Sequence, residues 1–138
     1  MENAPYLIGR FLNLADGLHT VWCRNVKEKD PLPPQLIGSS FFASFQINPV
    51  QAFAAMALRV KPYLDWAKTN QTKDVALSHW YVGEMGRIAT AINECGIPVS
   101  LSDLDKAEML LGYLASTNKS SVDEAESSNS DDTKTKNS

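Results

Sequence analysis

Residues 4–31 read APYLIGRFLNLADGLHTVWCRNVKEKDP, and this stretch decides the fold class. Leu7, Phe11, Leu14, Leu18 and Val21 recur at steps of four, three, four and three, the period of one helix face. Ile8, Ala15 and Trp22 widen that face. Nothing in the pattern interrupts the helix before Asp30-Pro31, and the Pro31-Leu32-Pro33-Pro34 cluster cannot continue it. Lys27 and Lys29 fall near its C-terminal end, where the helix dipole favours cations. Gly17 stands mid-helix at a cost of about 1 kcal/mol against alanine, which a gap or a close contact would justify.

Working outward, Gly38-Ser39-Ser40 has turn composition, and Phe41, Phe42 and Phe45 are too apolar for a solvated loop, so residues 35–47 read as an ordered linker packed on the helices. Asn48-Pro49 is a helix start, with Asn as cap and Pro in the first turn. Val50, Phe53, Ala57, Val60, Leu64 and Ala67 form its expected buried stripe, with a kink at Pro62. A third helix is expected from Thr72 as cap to Cys95. Leu77, Trp80, Tyr81, Ile88, Ile92 and Cys95 would be buried, and Gly83 and Gly86 would be close-packed. Gly96 and Pro98 then stop it. Ser102 caps a last helix, with Asp103 and Asp105 in its first turn and the stripe Leu104, Ala107, Leu111, Leu114. No segment alternates with period two. The expectation is an all-α bundle of four main helices over residues 1–116. Residues 117–138 hold Val122 as their one aliphatic residue larger than alanine and no aromatic, so they are expected to form a disordered Ser/Asp-rich tail.

The chain has 138 residues, 13 basic and 16 acidic, for a net charge of −3. The tail carries Lys119, Lys134 and Lys136 against Asp123, Glu124, Glu126, Asp131 and Asp132, which leaves the helical body near neutral. That excludes coating nucleic acid by net charge alone, but not one basic face balanced by an acidic one. Cys23 and Cys95 form no CxxC or disulfide framework, so a reducing cytoplasm is the expected compartment. No apolar run reaches the ~20 residues of a membrane span, and no signal peptide or internal repeat is visible.

His19 and Cys23 stand four apart on one helix face, the spacing of a two-ligand metal start, with only His79 and Cys95 left to complete a site. Core packing of Cys23 beside a partly exposed His19 accounts for the same pair. Nothing marks an oxyanion hole or a strained nucleophile turn, Glu84, Glu94 and Glu108 belong to no motif, and no glycine-rich phosphate loop is present. Neither enzymatic activity nor a cofactor or metal is expected. The basic residues are more informative. Arg10 and Arg24 are two heptads apart with Gly17 midway, and Lys27 extends that strip. Lys61 and Lys68 share a face of the next helix, with Arg59 nearby and Lys73 beyond the turn, and Arg87 adds one position on the third. Such a pattern tracks a phosphate backbone without reading bases. A solvated face with Asp65 pairing Lys61 or Lys68 fits equally well. Trp22, Trp66, Trp80 and Tyr81 suit either base stacking or a core.

Three stretches taken in order carry a family likeness: APYLIGRFL from Ala4, Ser40-Phe41-Phe42-Ala43-Ser44 through Asn48-Pro49 into an alanine-rich helix, and LSDLDKAEMLLGYL from Leu101 to Leu114. Together they resemble the C-terminal region of the large subunit of type I-C CRISPR Cascade complexes, or of the related type I-B subunit. In that family the region is also made separately, from an internal start, as the small subunit, and a short chain opening on Met1 is what such a start would produce. The resemblance implies a non-catalytic helical small subunit of an antiviral, crRNA-guided complex. Several copies would line its belly against the large subunit and the crRNA-binding backbone subunits. They would hold unwound target and non-target DNA during R-loop formation. Arg10 falls inside the family-like opening; the other basic positions come from face geometry. The sequence departs from the family after Leu111-Gly112-Tyr113, where Leu114-Ala115-Ser116 leads into the acidic tail.

Overall fold

The computed structural model describes residues 3–26, 38–70 and 73–115, and all regular structure among them is helical. Helix α1 spans Ala4–Asn25, a 3-10 turn covers Gly38–Phe41, α2 is Phe42–Ile47, α3 is Pro49–Thr69 and α4 is Val75–Cys95. A fifth helix, α5, covers 103–115. The all-α bundle of four long helices stands as read; the tail expected over 117–138 lies outside the described residues.

Helix α1 is the central element. Its N-cap Asn3 accepts the Tyr6 N–H at 2.9 Å, and Pro5 occupies the first turn. Leu7, Ile8, Phe11, Leu12, Leu14, Ala15, Leu18, Val21 and Trp22 are all buried, so apolar residues surround more than one face. A helix apolar on most sides must be covered on most sides, and α3, α4 and the 3-10 turn all pack against α1. It stops at Asn25, short of the expected Pro31, because Val26 turns extended while the Asn25 amide donates back to the Val21 carbonyl at 2.8 Å.

The phenylalanine segment is helical rather than a linker. Phe41 and Phe45 are buried, and Phe42 meets Tyr113 edge-on at 5.3 Å. Asn48 caps α3 as expected, accepting the Gln51 N–H at 3.2 Å, and α3 runs through Pro62. Of its expected buried stripe, Val60 and Ala67 are buried and the other four are not. Ala52, Met56, Val60, Tyr63 and Ala67 point inward, while Val50 and Ala57 are exposed and Phe53 and Leu64 half-buried. Residues 52–58 are all apolar, so periodicity leaves the phase open there, and the bulk of Met56 and Tyr63 sets it.

Helix α4 begins at Val75, not behind Thr72, which lies outside the described residues. Its cap is Asp74 in the left-handed region (φ 62°). Buried Asn70 pins this turn, donating to the Lys73 carbonyl and to Ser78 Oγ, each at 3.0 Å. Ser78, Met85, Ile88 and Ile92 are its buried residues; Leu77, Trp80 and Cys95 are exposed, contrary to expectation. Gly83 and Gly86 border open space instead of a close neighbour. Gly96 (φ 84°) closes the helix as read.

Helix α5 starts on a reciprocal cap: the Asp105 N–H donates to Ser102 Oγ at 3.1 Å, and the Ser102 N–H to the Asp105 carboxylate at 3.0 Å. It crosses the start of α1 at backbone contact. A β-carbon on Gly9 would overlap the Met109 carbonyl oxygen, and one on Gly112 would overlap the Tyr6 carbonyl oxygen. Tyr113 donates to the Asp16 carboxylate at 2.6 Å and ties the same crossing. The face of α5 on the bundle is therefore the Met109 and Gly112 side, and the stripe Leu104, Ala107, Leu111, Leu114 faces solvent.

Candidate nucleic-acid interface

Arg10, Gly17 and Arg24 do share one face of α1, but that face is turned onto α4. Arg10 pairs with Glu84 at 3.3 Å with side-chain exposures of 12% and 19%. The ring of Tyr81 occupies the space over Gly17, where a β-carbon would lie 2.7 Å from Tyr81 Cζ. Arg24 pairs with Asp74 at 3.2 Å, and Asn25 donates to the same carboxylate at 2.9 Å. Asp74, Tyr81 and Glu84 thus run antiparallel to Arg24, Gly17 and Arg10. The strip is a polar seam between two helices. Arg10 is committed to it, and Arg24 remains half-exposed at its end. Arg87 lies on the exposed side of α4 and also donates to Glu84, so one carboxylate serves two guanidinium groups. Lys27 lies outside the described residues.

The seam makes stability acid-sensitive. The Asn25 hydrogen bond, followed by the Arg24 contacts, holds the Asp74 carboxyl below its ordinary 3.8. A depressed folded-state pKa gives stability that is present above about pH 3.8 and lost as pH falls through the lower folded value. Asp74→Asn, which keeps a residue tolerant of the left-handed region, should therefore lose less stability than the parent between pH 5 and pH 2. Urea midpoints across that range check it; parallel curves would remove Asp74 from the account.

Four further exposed cations are on α3 and just beyond it. Arg59, Lys61, Lys68 and Lys73 are all exposed. Lys61 pairs with Asp65 at 2.8 Å, one of the two pairings expected, and that hydrogen bond lowers the Asp65 pKa. Lys68 lies about two turns beyond Lys61 and makes no ion pair among the described residues. The Arg59 guanidinium sits 5.9 Å from the centroid of the Phe41 ring. Lys61 and Lys68 border a groove of about 500 Å³ between α3 and α4, whose walls are mostly apolar: Phe11, Phe53, Ala57, Leu64, Met85 and Ala89. The groove exists because Ala57, Gly86 and Ala89 are too small to fill the space between the helices. Sequence reading took Gly86 as a sign of close packing and missed it.

The cysteine–histidine pair is real but incomplete. His19 Nε2 and Cys23 Sγ are 3.6 Å apart, and Cys23 is exposed rather than packed in the core. His19 stacks near Trp22 and meets the Tyr63 ring edge-on, and this burial lowers its pKa. No group of three or more potential metal ligands occurs among the described residues. Of the aromatics considered for base stacking, Trp22 is buried, Trp66 and Tyr81 are half-buried and Trp80 is exposed. Among the described residues no helix is long and apolar enough to cross a membrane. No family model, curated protein or solved structure matches the chain.

Proposed function

We propose that this chain is a non-catalytic small subunit of a crRNA-guided CRISPR surveillance complex of the Cascade type, and that it holds unwound DNA by its phosphates. The observation that carries the nucleic-acid part is the exposed strip Lys61–Lys68 on α3, flanked by Arg59 and Lys73. Seven helical residues put the two lysines roughly 10 Å apart, close enough for both to bear on phosphates of one strand. Lysine suits this task because its mobile ammonium follows a backbone without demanding one base geometry. The three-part family resemblance supports the complex, the non-catalytic role and the partners: large subunit, crRNA-binding backbone subunits, further copies, and target and non-target strands. A chain of net charge −3 with one local basic strip binds weakly alone, and repetition along a complex supplies avidity.

A helical adaptor without a nucleic-acid role is the second reading. The covered Arg10 and the outward-facing leucines of α5 favour it.

The test is affinity for a fluorescent single-stranded oligonucleotide across a salt series, with recovery of the tagged chain from cells expressing its operon and a crRNA. Two or three phosphate contacts should give a log–log salt slope of about −1.4 to −2, and the tagged chain should bring down crRNA with a large subunit. Salt-independent or absent binding, with no crRNA recovered, overturns the reading in favour of the adaptor.

A further inference from the structure

The lysine strip and the α3–α4 groove are one surface. Lys61, Asp65 and Lys68 line the groove from α3, and Met85, Gly86 and Ala89 line it from α4. Phe11 and Phe53 reach it as well, their ring centroids 5.5 Å apart and their planes tilted by 54°. The polar side chains that line it are those three of α3, and the rest of the lining is apolar. At about 500 Å³ it falls within the usual size range of a ligand site.

We infer that this groove holds a base of the single strand whose phosphates Lys61 and Lys68 hold, and that it accepts any base. The inference rests on the nucleic-acid reading and deepens it from phosphate contact to base contact. Its first support is charge. Two ammonium groups against one carboxylate leave the rim net positive, and Asp65 is already bonded to Lys61 at 2.8 Å. Lys68 makes no ion pair among the described residues. An uncharged apolar side chain would fill the walls but leave that charge without a partner. A nucleotide carries both parts in the order the surface presents them, an anionic phosphate for the rim and a flat ring for the walls.

The second support is the kind of wall. Sites that bind single strands without sequence preference combine cations along the backbone with aromatic rings on which bases stack. Phe53 lines the groove and is only half-buried, so part of it is open to such contact. The walls carry no hydrogen-bonding side chain, so they cannot tell one base edge from another. A groove, unlike a closed cavity, lets the polar edge of the base keep its water and avoids the cost of burying it unpaired. Stacking releases no counterions, so this contribution should not depend on salt, whereas that of the lysines should.

The test compares oligothymidylate with an abasic strand of the same length and charge, each titrated with the full chain by fluorescence anisotropy across a salt series. The base-bearing strand should bind roughly five-fold tighter or more, the low end for one base–aromatic contact, and the two log–log salt slopes should be parallel. Gly86→Leu fills the groove from a position where nothing lies within 4 Å of an added β-carbon, and Ala57→Leu fills it from α3. Each variant should keep the helical circular-dichroism signal and the abasic affinity of the parent while losing most of the preference for the base-bearing strand. Equal affinity of the parent for the two strands, or a preference that survives both fillings, overturns the inference and leaves the phosphate contact standing. Failure to bind either strand overturns the phosphate reading and this inference together.

Discussion

Gly9→Ala should destabilise the fold by about 2–3 kcal/mol, although alanine is the better helix former. The added methyl would overlap the Met109 carbonyl oxygen and lie 2.7 Å from the Tyr113 amide nitrogen. Both are backbone atoms, so no side-chain rotation relieves the overlap. The helices must separate, and three features resist that. Gly112 presses on the Tyr6 carbonyl from the other side of the crossing, Tyr113 is bonded to Asp16 at 2.6 Å, and its ring packs against Phe42. Gly86→Ala is the matched control. It changes the same residue type inside a helix, but nothing lies within 4 Å of the added carbon. There the helix-propensity gain is unopposed, and stability should rise by roughly 0.5–1 kcal/mol. Urea denaturation of the two variants should move midpoints in opposite directions. A Gly9→Ala protein as stable as the parent would mean that α1 and α5 do not meet at backbone contact.

That contrast shows where sequence reading stops. Helix ends set by local chemistry were legible: the Asn48 cap with Pro49, the Ser102 cap and the Gly96 stop all act within a turn of themselves. The central helix was legible because its apolar residues are spread too widely for any partial cover. The inward phase of α3, α4 and α5 was not. Residues 52–58 are apolar without a gap, and α5 carries apolar residues on both sides, with Met109 opposite Leu104 and Leu111, so two phases fit the period equally. Gly83 and Gly86 failed for a related reason, since the space beside a helical glycine is decided by another helix, whereas the close contact that would justify Gly17 is there in the Tyr81 ring. Arg10 could have been placed better. An arginine on a helix with almost no solvent face needs a buried acid, and Glu84 was available.

Charge reversal separates the cations that hold the fold from those offered to DNA. Lys61→Glu combined with Lys68→Glu should leave the helical circular-dichroism signal and the thermal midpoint close to those of the parent. The one bond it removes is the exposed Lys61–Asp65 pair, of a class worth about 0.3–0.5 kcal/mol. Single-stranded DNA affinity should nevertheless fall by roughly ten- to a hundred-fold, with the salt slope shallower by about 1.4 for two lost phosphate contacts. Arg10→Glu should behave in the opposite sense. It sets two carboxylates together in the α1–α4 seam, where the half-buried pair should cost less than the roughly 3–5 kcal/mol of a fully buried one but well above that of a surface pair. Any loss of DNA binding it causes should track loss of fold. The lysine variant is therefore the informative one. If it is folded and binds the oligonucleotide like the parent, the α3 strip is a solvated helix face and the adaptor reading gains the surface. If it is folded and no longer binds, the loss belongs to two side chains that do nothing else the fold depends on.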